Sequence, residues 1–209
     1  NELKLTFRVY LIKERIVLMK ENFSTRDRII NAAIEVFFEN GFSDTTVDDI
    51  TNYAGVSHGT FYIYFKNKKD ALRELLKETF DLLYDATEAP WKREHSYESL
   101  RESIYGFFKI YQSHWKVIRT WKEAAMLDAE FMQLWHNLVD QITCRIKQNI
   151  EYSIRKGLCQ PIDSAVASQA LSGMIEHYAN NYLMKGETVD LNIISKTLAH
   201  IWYYGIYGS

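Results

Sequence analysis

The chain has 209 residues, 47% of them hydrophobic and 14% aromatic, with a formal net charge of -2. That is enough to bury a core in one large domain or in a small one joined to a larger, it argues against disorder, and it neither demands nor excludes a polyanionic partner. With only 2 prolines and 9 glycines, long helices are favoured over the many-turned sheets of an all-β protein.

Residues 1-23 read as an N-terminal extension. Their apolar residues are interrupted by Lys4, Arg8, Lys13, Glu14 and Arg15, which rules out a signal-peptide core. Met19 opens MKENFSTRDRII, a natural start for a small domain, so residues 1-18 are expected to be an upstream extension or a variable arm without function. No stretch approaches the ~20 uninterrupted apolar residues of a membrane span. A cytoplasmic protein with no membrane partner is expected.

The first helix runs from Ser24 or Thr25, as N-cap, to Asn40, with Ile29, Ile30, Ala33, Ile34, Phe37 and Phe38 at helical spacing and Gly41 as the stop. SDTTV then caps a short helix over Val47 to Ala54, Gly55 ends it, and Ser57 caps another over His58 to Phe65. Asn67 caps a longer helix from Lys68 to about Ala86, with Leu72, Leu75, Leu76, Phe80 and Leu83 on one stripe. Pro90 and the polar KREHS mark a boundary near residues 88-96. Beyond it lie amphipathic segments at Tyr97 to Trp115, Val117 to Met126, Asp128 to Lys156, Asp163 to Met184 and Val189 to Tyr207. Gly157 and Pro161 punctuate the third of these, and Lys185-Gly186-Glu187 separates the last two. Cys144 and Cys159 form no CxxC pair and are expected to be reduced.

Two short helices joined by Gly55-Val56 have the form of a helix-turn-helix, whose second helix enters the major groove. Its leading residues, Ser57, His58, Gly59 and Thr60, are small or polar and let the backbone approach. Residues 24-70 hold five basic and seven acidic residues, so the cationic footprint is concentrated at Lys66, Lys68, Lys69, Arg73 and Lys77.

Here the sequence resembles the TetR family of bacterial transcriptional repressors. The matching residues are Gly55-Val56-Ser57, Thr60-Phe61-Tyr62-Ile63-Tyr64-Phe65, Lys68-Lys69-Asp70-Ala71-Leu72 and, upstream, AAIEVFFENGFSDTTVDDIT. The resemblance implies that Thr46 contacts phosphate, that Ser57, His58, Gly59, Thr60 and Tyr62 face the groove, and that Tyr64 and Lys68 grip the DNA backbone. Phe61 and Phe65 are read as core against Ile34, Phe37 and Ile50.

Among the six histidines no Glu-x-x-His pair occurs, and there is no HExxH, phosphate loop or dinucleotide fingerprint. No metal, cofactor or enzymatic activity is expected. Beyond the boundary, aromatic residues are more numerous than a core of this size needs. FFKIYQSHWKVI, EFMQLWHNLVDQI and HIWYYGIYG are similar to segments of the mycobacterial ethionamide-monooxygenase repressors, a branch of the same family whose long pocket takes lipid-like and aromatic ligands. That similarity implies a pocket lined by Phe108, Tyr111, Trp115, Trp135, Leu138, Ile142, Ser172, Ile175 and Trp202. Ser172 and Ile175 stand where that branch has ligand-orienting asparagines; Asn180 and Asn181 lie further along.

The expected protein is all-α, with about nine helices: an extension (1-23), a three-helix DNA-binding domain (24-70), and a helical bundle for ligand binding and dimerisation (71-209). Its expected partners are a palindromic double-stranded operator, a hydrophobic small-molecule effector that releases it, and a second copy of the chain. The dimer is expected to form through Val166, Ala170, Leu171, Met174, Leu191, Ile194 and Leu198. A helical carrier of hydrophobic molecules with a vestigial DNA-binding motif is the alternative.

Overall fold

The computed structural model describes residues 24-87, 97-183 and 189-208. The expected extension, the 88-96 boundary and the Lys185-Gly186-Glu187 link fall outside them. Among the described residues there are nine helices and no strand: α1 (Thr25–Asn40), α2 (Val47–Ala54), α3 (His58–Tyr64), α4 (Lys68–Ala86), α5 (Tyr97–Ser113), α6 (Trp115–Leu127), α7 (Ala129–Arg155), α8 (Ser164–Tyr182) and α9 (Leu191–Tyr207). The chain divides into two compact units, one up to Leu72 and one from Arg73. The chain enters α4 within the first and leaves it within the second.

In the first unit, reciprocal side-chain and backbone bonds satisfy the starts of α1 and α2: Ser24 pairs with Asp27, and Thr46 with Asp49. Gly55 closes α2 in the left-handed region at φ 64°, and Arg28 Nη2 donates to the carbonyls of Ala54 (2.6 Å) and Gly55 (3.0 Å). A Cβ at residue 55 would stand 3.4 Å from that Arg28 nitrogen, an ordinary contact, so it is the left-handed backbone that favours glycine there. Ile29, Ala33, Phe37, Ile50, Phe61 and Phe65 form the buried centre. Burying them fixes the angle at which α3 leaves the turn.

The second unit is a bundle. Phe80, Trp121 and Trp135 cluster: the two indoles stack at 4.5 Å between centroids, and Phe80 meets them edge-on at 5.9 and 6.0 Å. Trp121 Nε1 donates to the Phe131 carbonyl at 2.7 Å, tying α6 to the first turn of α7. Tyr97 joins α5 to α9 through the Lys196 carbonyl at 3.0 Å, and Ser153 meets Tyr207 at 3.2 Å.

The last two helices correct part of the expected dimer face. Leu171, Leu191, Ile194 and Leu198 are buried within the subunit and Met174 is half-buried. The helical period turns these residues inward and leaves a different apolar row outside. Val166 (67% exposed), Ala170 and Gly173 lie on that outer side of α8, and Ile193 (64%), Ile201 (54%) and Tyr204 on that of α9.

Candidate functional site

On the seven-residue helix α3, Phe61 points into the core. At 3.6 residues per turn, positions two before and two after it lie about 200° away, on the opposite face. Those are Gly59 and Ile63, both exposed, and Ile63 was not among the expected groove residues. Its signal was readable: it is apolar at the one register that cannot reach the core. His58 and Tyr62 share one flank, their rings edge-on at 5.0 Å, and Thr60 and Tyr64 share the other. His58 Nε2 lies 3.2 Å from Asp48 Oδ1, so the histidine holds a carboxylate of α2 while its ring stays half in solvent. Ser57 Oγ accepts from the Thr60 amide at 3.1 Å and lies 2.7 Å from the Thr60 hydroxyl. Ser57, His58, Gly59, Thr60, Tyr62 and Tyr64 are thus brought together on one short helix and its cap.

Two expected backbone contacts are engaged within the unit. The Thr46 hydroxyl donates to Asp49 Oδ2 at 2.6 Å and accepts from the Asp49 amide at 3.2 Å. This hydroxyl, followed by the Thr46 backbone amide, holds the Asp49 carboxyl below its ordinary pKa. The Lys68 ammonium donates to the carbonyls of Phe42 (2.8 Å), Ser43 (2.7 Å) and Thr45 (2.7 Å) and sits 5.0 Å above the Phe42 ring. An ammonium has three protons, so in this structure Lys68 clamps the turn between α1 and α2.

In the second unit a cavity of about 80 Å³ runs between the helices. α7 lines it with Trp135, Leu138, Val139, Ile142, Arg145, Ile146 and Asn149, a single stripe at helical spacing. α5 contributes Leu100, Ser103, Ile104, Phe107 and Tyr111, α8 contributes Ser172, Ile175 and Glu176, α9 contributes Trp202, and Thr87 closes the list. Of the nine expected ligand residues, Tyr111, Trp135, Leu138, Ile142, Ser172, Ile175 and Trp202 line it. Phe108 and Trp115 do not: Phe108 is fully buried against Tyr178, with ring centroids at 5.7 Å, and Trp115 begins α6 half-buried.

The cavity's few polar groups are placed at intervals. Arg145 lies over the Tyr84 ring at 3.6 Å and donates to the Tyr84 carbonyl (2.8 Å) and Thr87 hydroxyl (3.1 Å). Glu176 accepts from Trp135 Nε1 at 3.0 Å. Tyr111 donates to Asn180 Oδ1 at 2.6 Å, and that oxygen also accepts from Lys122. Burial, with a smaller contribution from Glu176, raises the Tyr111 pKa, and burial lowers that of Lys122. Trp202 Nε1 is buried with no acceptor in reach among the described residues. Arg145, Asn149 and Glu176 were missed from sequence; the first two are polar intrusions on an otherwise apolar stripe, which was the available signal.

Comparison with known proteins agrees with both units. Residues 29–75 match the bacterial regulatory proteins of the tetR family, and residues 100–208 match the C-terminal domain of the transcriptional regulator EthR. The chain is 30% identical over 198 residues to the fatty acid metabolism regulator protein of Bacillus subtilis (strain 168), covering 90% of this chain and 99% of that one. To the HTH-type transcriptional regulator EthR of Mycobacterium tuberculosis it is 27% identical over 186 residues, 86% of each chain. The crystal structure of the regulator FadR from Bacillus subtilis in complex with stearoyl-CoA superposes with a TM-score of 0.70 at 28% identity, covering 86% of this chain and 98% of that one. A helix-turn-helix in the first unit, a cavity-bearing bundle in the second and matches across both identify the chain as a member of the TetR family of bacterial transcriptional regulators, with an EthR-type C-terminal domain.

Proposed function

We propose that the protein is a repressor that binds a palindromic operator as a homodimer and is released when a long-chain acyl thioester enters the bundle. The observation that carries the ligand class is the shape of the cavity. Its lining on α7 extends from Trp135 to Asn149, about 21 Å at 1.5 Å per residue. Yet its volume of about 80 Å³ is roughly half that of a cavity that takes one benzene ring. Long and narrow space suits a linear chain and rejects fused rings. The extended backbone advances about 1.2 Å per bond, so this length corresponds to roughly 17 bonds. The relatives named for fatty acid metabolism and stearoyl-CoA support the same class.

Because the space is narrower than the chain it would hold, binding has to part the bundle helices. α4 belongs to both units and is the element through which such a change reaches α3. A typical coupling of ~1 to 3 kcal/mol would lower operator affinity about five- to 150-fold. Dimerisation brings two copies of α3 to the two halves of the operator, through the outward residues of α8 and α9. On α3 the groove-facing set is Ser57, His58, Gly59, Thr60 and Tyr62, joined by Ile63, with Tyr64 and Thr46 toward phosphate.

Mobility shift with DNA from upstream of the protein's own gene, titrated with stearoyl-CoA, tests this. A specific complex that dissolves as acyl-CoA is added is the expected result. Tight acyl-CoA binding without any DNA complex would favour a carrier.

A further inference from the structure

Trp121, Trp135 and Trp202 differ in what their indole N–H groups meet. Trp121 donates to the Phe131 carbonyl and Trp135 to Glu176. Trp202 is only 6% exposed, lines the cavity, and finds no acceptor among the described residues. A buried donor without an acceptor is unfavourable and rare in folded proteins. Among the described residues the Thr120 hydroxyl is the other such group, and it is not among the cavity's lining residues. Trp202 is therefore the cavity-lining residue whose N–H is left unpaired among the described residues.

Indole nitrogen is a donor only. What it can receive is an oxygen lone pair, and a saturated hydrocarbon has none. We infer that Trp202 Nε1 donates to the carbonyl oxygen of the bound chain, so that the cavity selects acyl compounds over alkyl compounds of the same length. The inference rests on the acyl-ligand reading above and adds to it the atom that recognises the acyl group. Trp202 is read here as a recognition residue, where the sequence offered it only as apolar lining.

Stearoyl-CoA and its thioether analogue, S-octadecyl-CoA, carry the same chain length and head group and differ at the carbonyl. The unaltered protein should bind the thioester about tenfold more tightly, the value of one hydrogen bond to a group otherwise left unpaired. Trp202→Phe keeps an aromatic ring at the site and removes the N–H together with part of the bulk. It should bind the two compounds with equal affinity, and the smaller ring leaves a void that costs some stability without ligand.

Infrared spectra of stearoyl-CoA isotopically labelled at the carbonyl should show that band at lower frequency on the unaltered protein than on the variant. If the unaltered protein binds thioester and thioether alike, or Trp202→Phe keeps the preference, the carbonyl assignment is overturned and the acyl reading survives. If neither compound binds the unaltered protein, the acyl reading fails and the assignment fails with it. The comparison of the two compounds on the unaltered protein decides the matter even where the variant does not fold.

Discussion

Lys68 and Thr45 are joined by a 2.7 Å hydrogen bond from the ammonium to the backbone carbonyl, and the carbonyls of Phe42 and Ser43 complete the same clamp. The three carbonyls follow α1 and precede α2, so the lysine of a later helix fixes the turn from which Thr46 starts the next one. Lys68→Ala should lower the stability of the DNA-binding unit by about 2 kcal/mol, within the range for hydrogen bonds to a charged group. Operator affinity should fall with the slope of affinity against salt unchanged. Urea unfolding and a salt titration of operator binding check both. A slope reduced by about one with normal stability would return Lys68 to direct phosphate contact.

Asp49 gives a pH dependence with a defined sign. Its carboxyl is held below the ordinary value of 3.8 by the Thr46 hydroxyl first and the Thr46 amide second. A depressed folded pKa contributes stability that is complete above the unfolded value and disappears as pH falls through the folded one. The melting-temperature advantage of the unaltered protein over Asp49→Asn should be flat above about pH 5 and shrink as the pH drops below about 4. An advantage that stays constant down to the acid limit would mean that the charge of Asp49 contributes nothing.

The last two helices provide a paired test. Ile201 is 54% exposed and Leu198, one turn earlier, is 8% exposed. Ile201→Glu should leave helical content intact and convert a dimer to a monomer with weakened operator binding, read by sedimentation and mobility shift. Leu198→Glu places a charge among apolar neighbours and should unfold the bundle. A dimeric Ile201→Glu protein would move the interface elsewhere.

Trp135 borders the cavity on one side and stacks on Trp121 on the other. Trp135→Ala should cost about 2 kcal/mol, below the ~3 to 5 kcal/mol of a close-packed aromatic, because part of its surface already meets open space. Ile175→Trp narrows the same cavity from α8 and should weaken operator binding without added ligand. Thermal melts and operator titrations of both variants separate a cavity from a packed core: a loss of 4 kcal/mol or more from Trp135→Ala, with Ile175→Trp unable to fold, would indicate the core.

Much of this was legible because the signals are local. Ser24, Thr46 and Ser57 announce helix starts, Gly41 and Gly55 announce stops, and each expected helix end falls within two residues of the one found. The seven expected ligand residues that line the cavity were reached by resemblance combined with helical spacing. What escaped depends on neighbours distant in sequence. Nothing near Lys68 says that its ammonium reaches carbonyls 23 to 26 residues earlier. Nor does the pattern LNIISKTL reveal which of its two apolar rows faces the subunit's own interior. Glu176 was overlooked because its partner, Trp135, lies 41 residues away on another helix.

The narrowness of the cavity also has a kinetic consequence. On the proposed acyl reading the chain is larger than this space, so its entry would wait for the bundle to open, and the association rate would be limited by the fraction of time it stands open. The same closing helices oppose departure. On the proposed acyl reading, a regulator built this way would ignore brief pulses of its effector and stay released after the supply had fallen, because the lifetime of the bound state would be set by the opening of helices and not by the concentration outside.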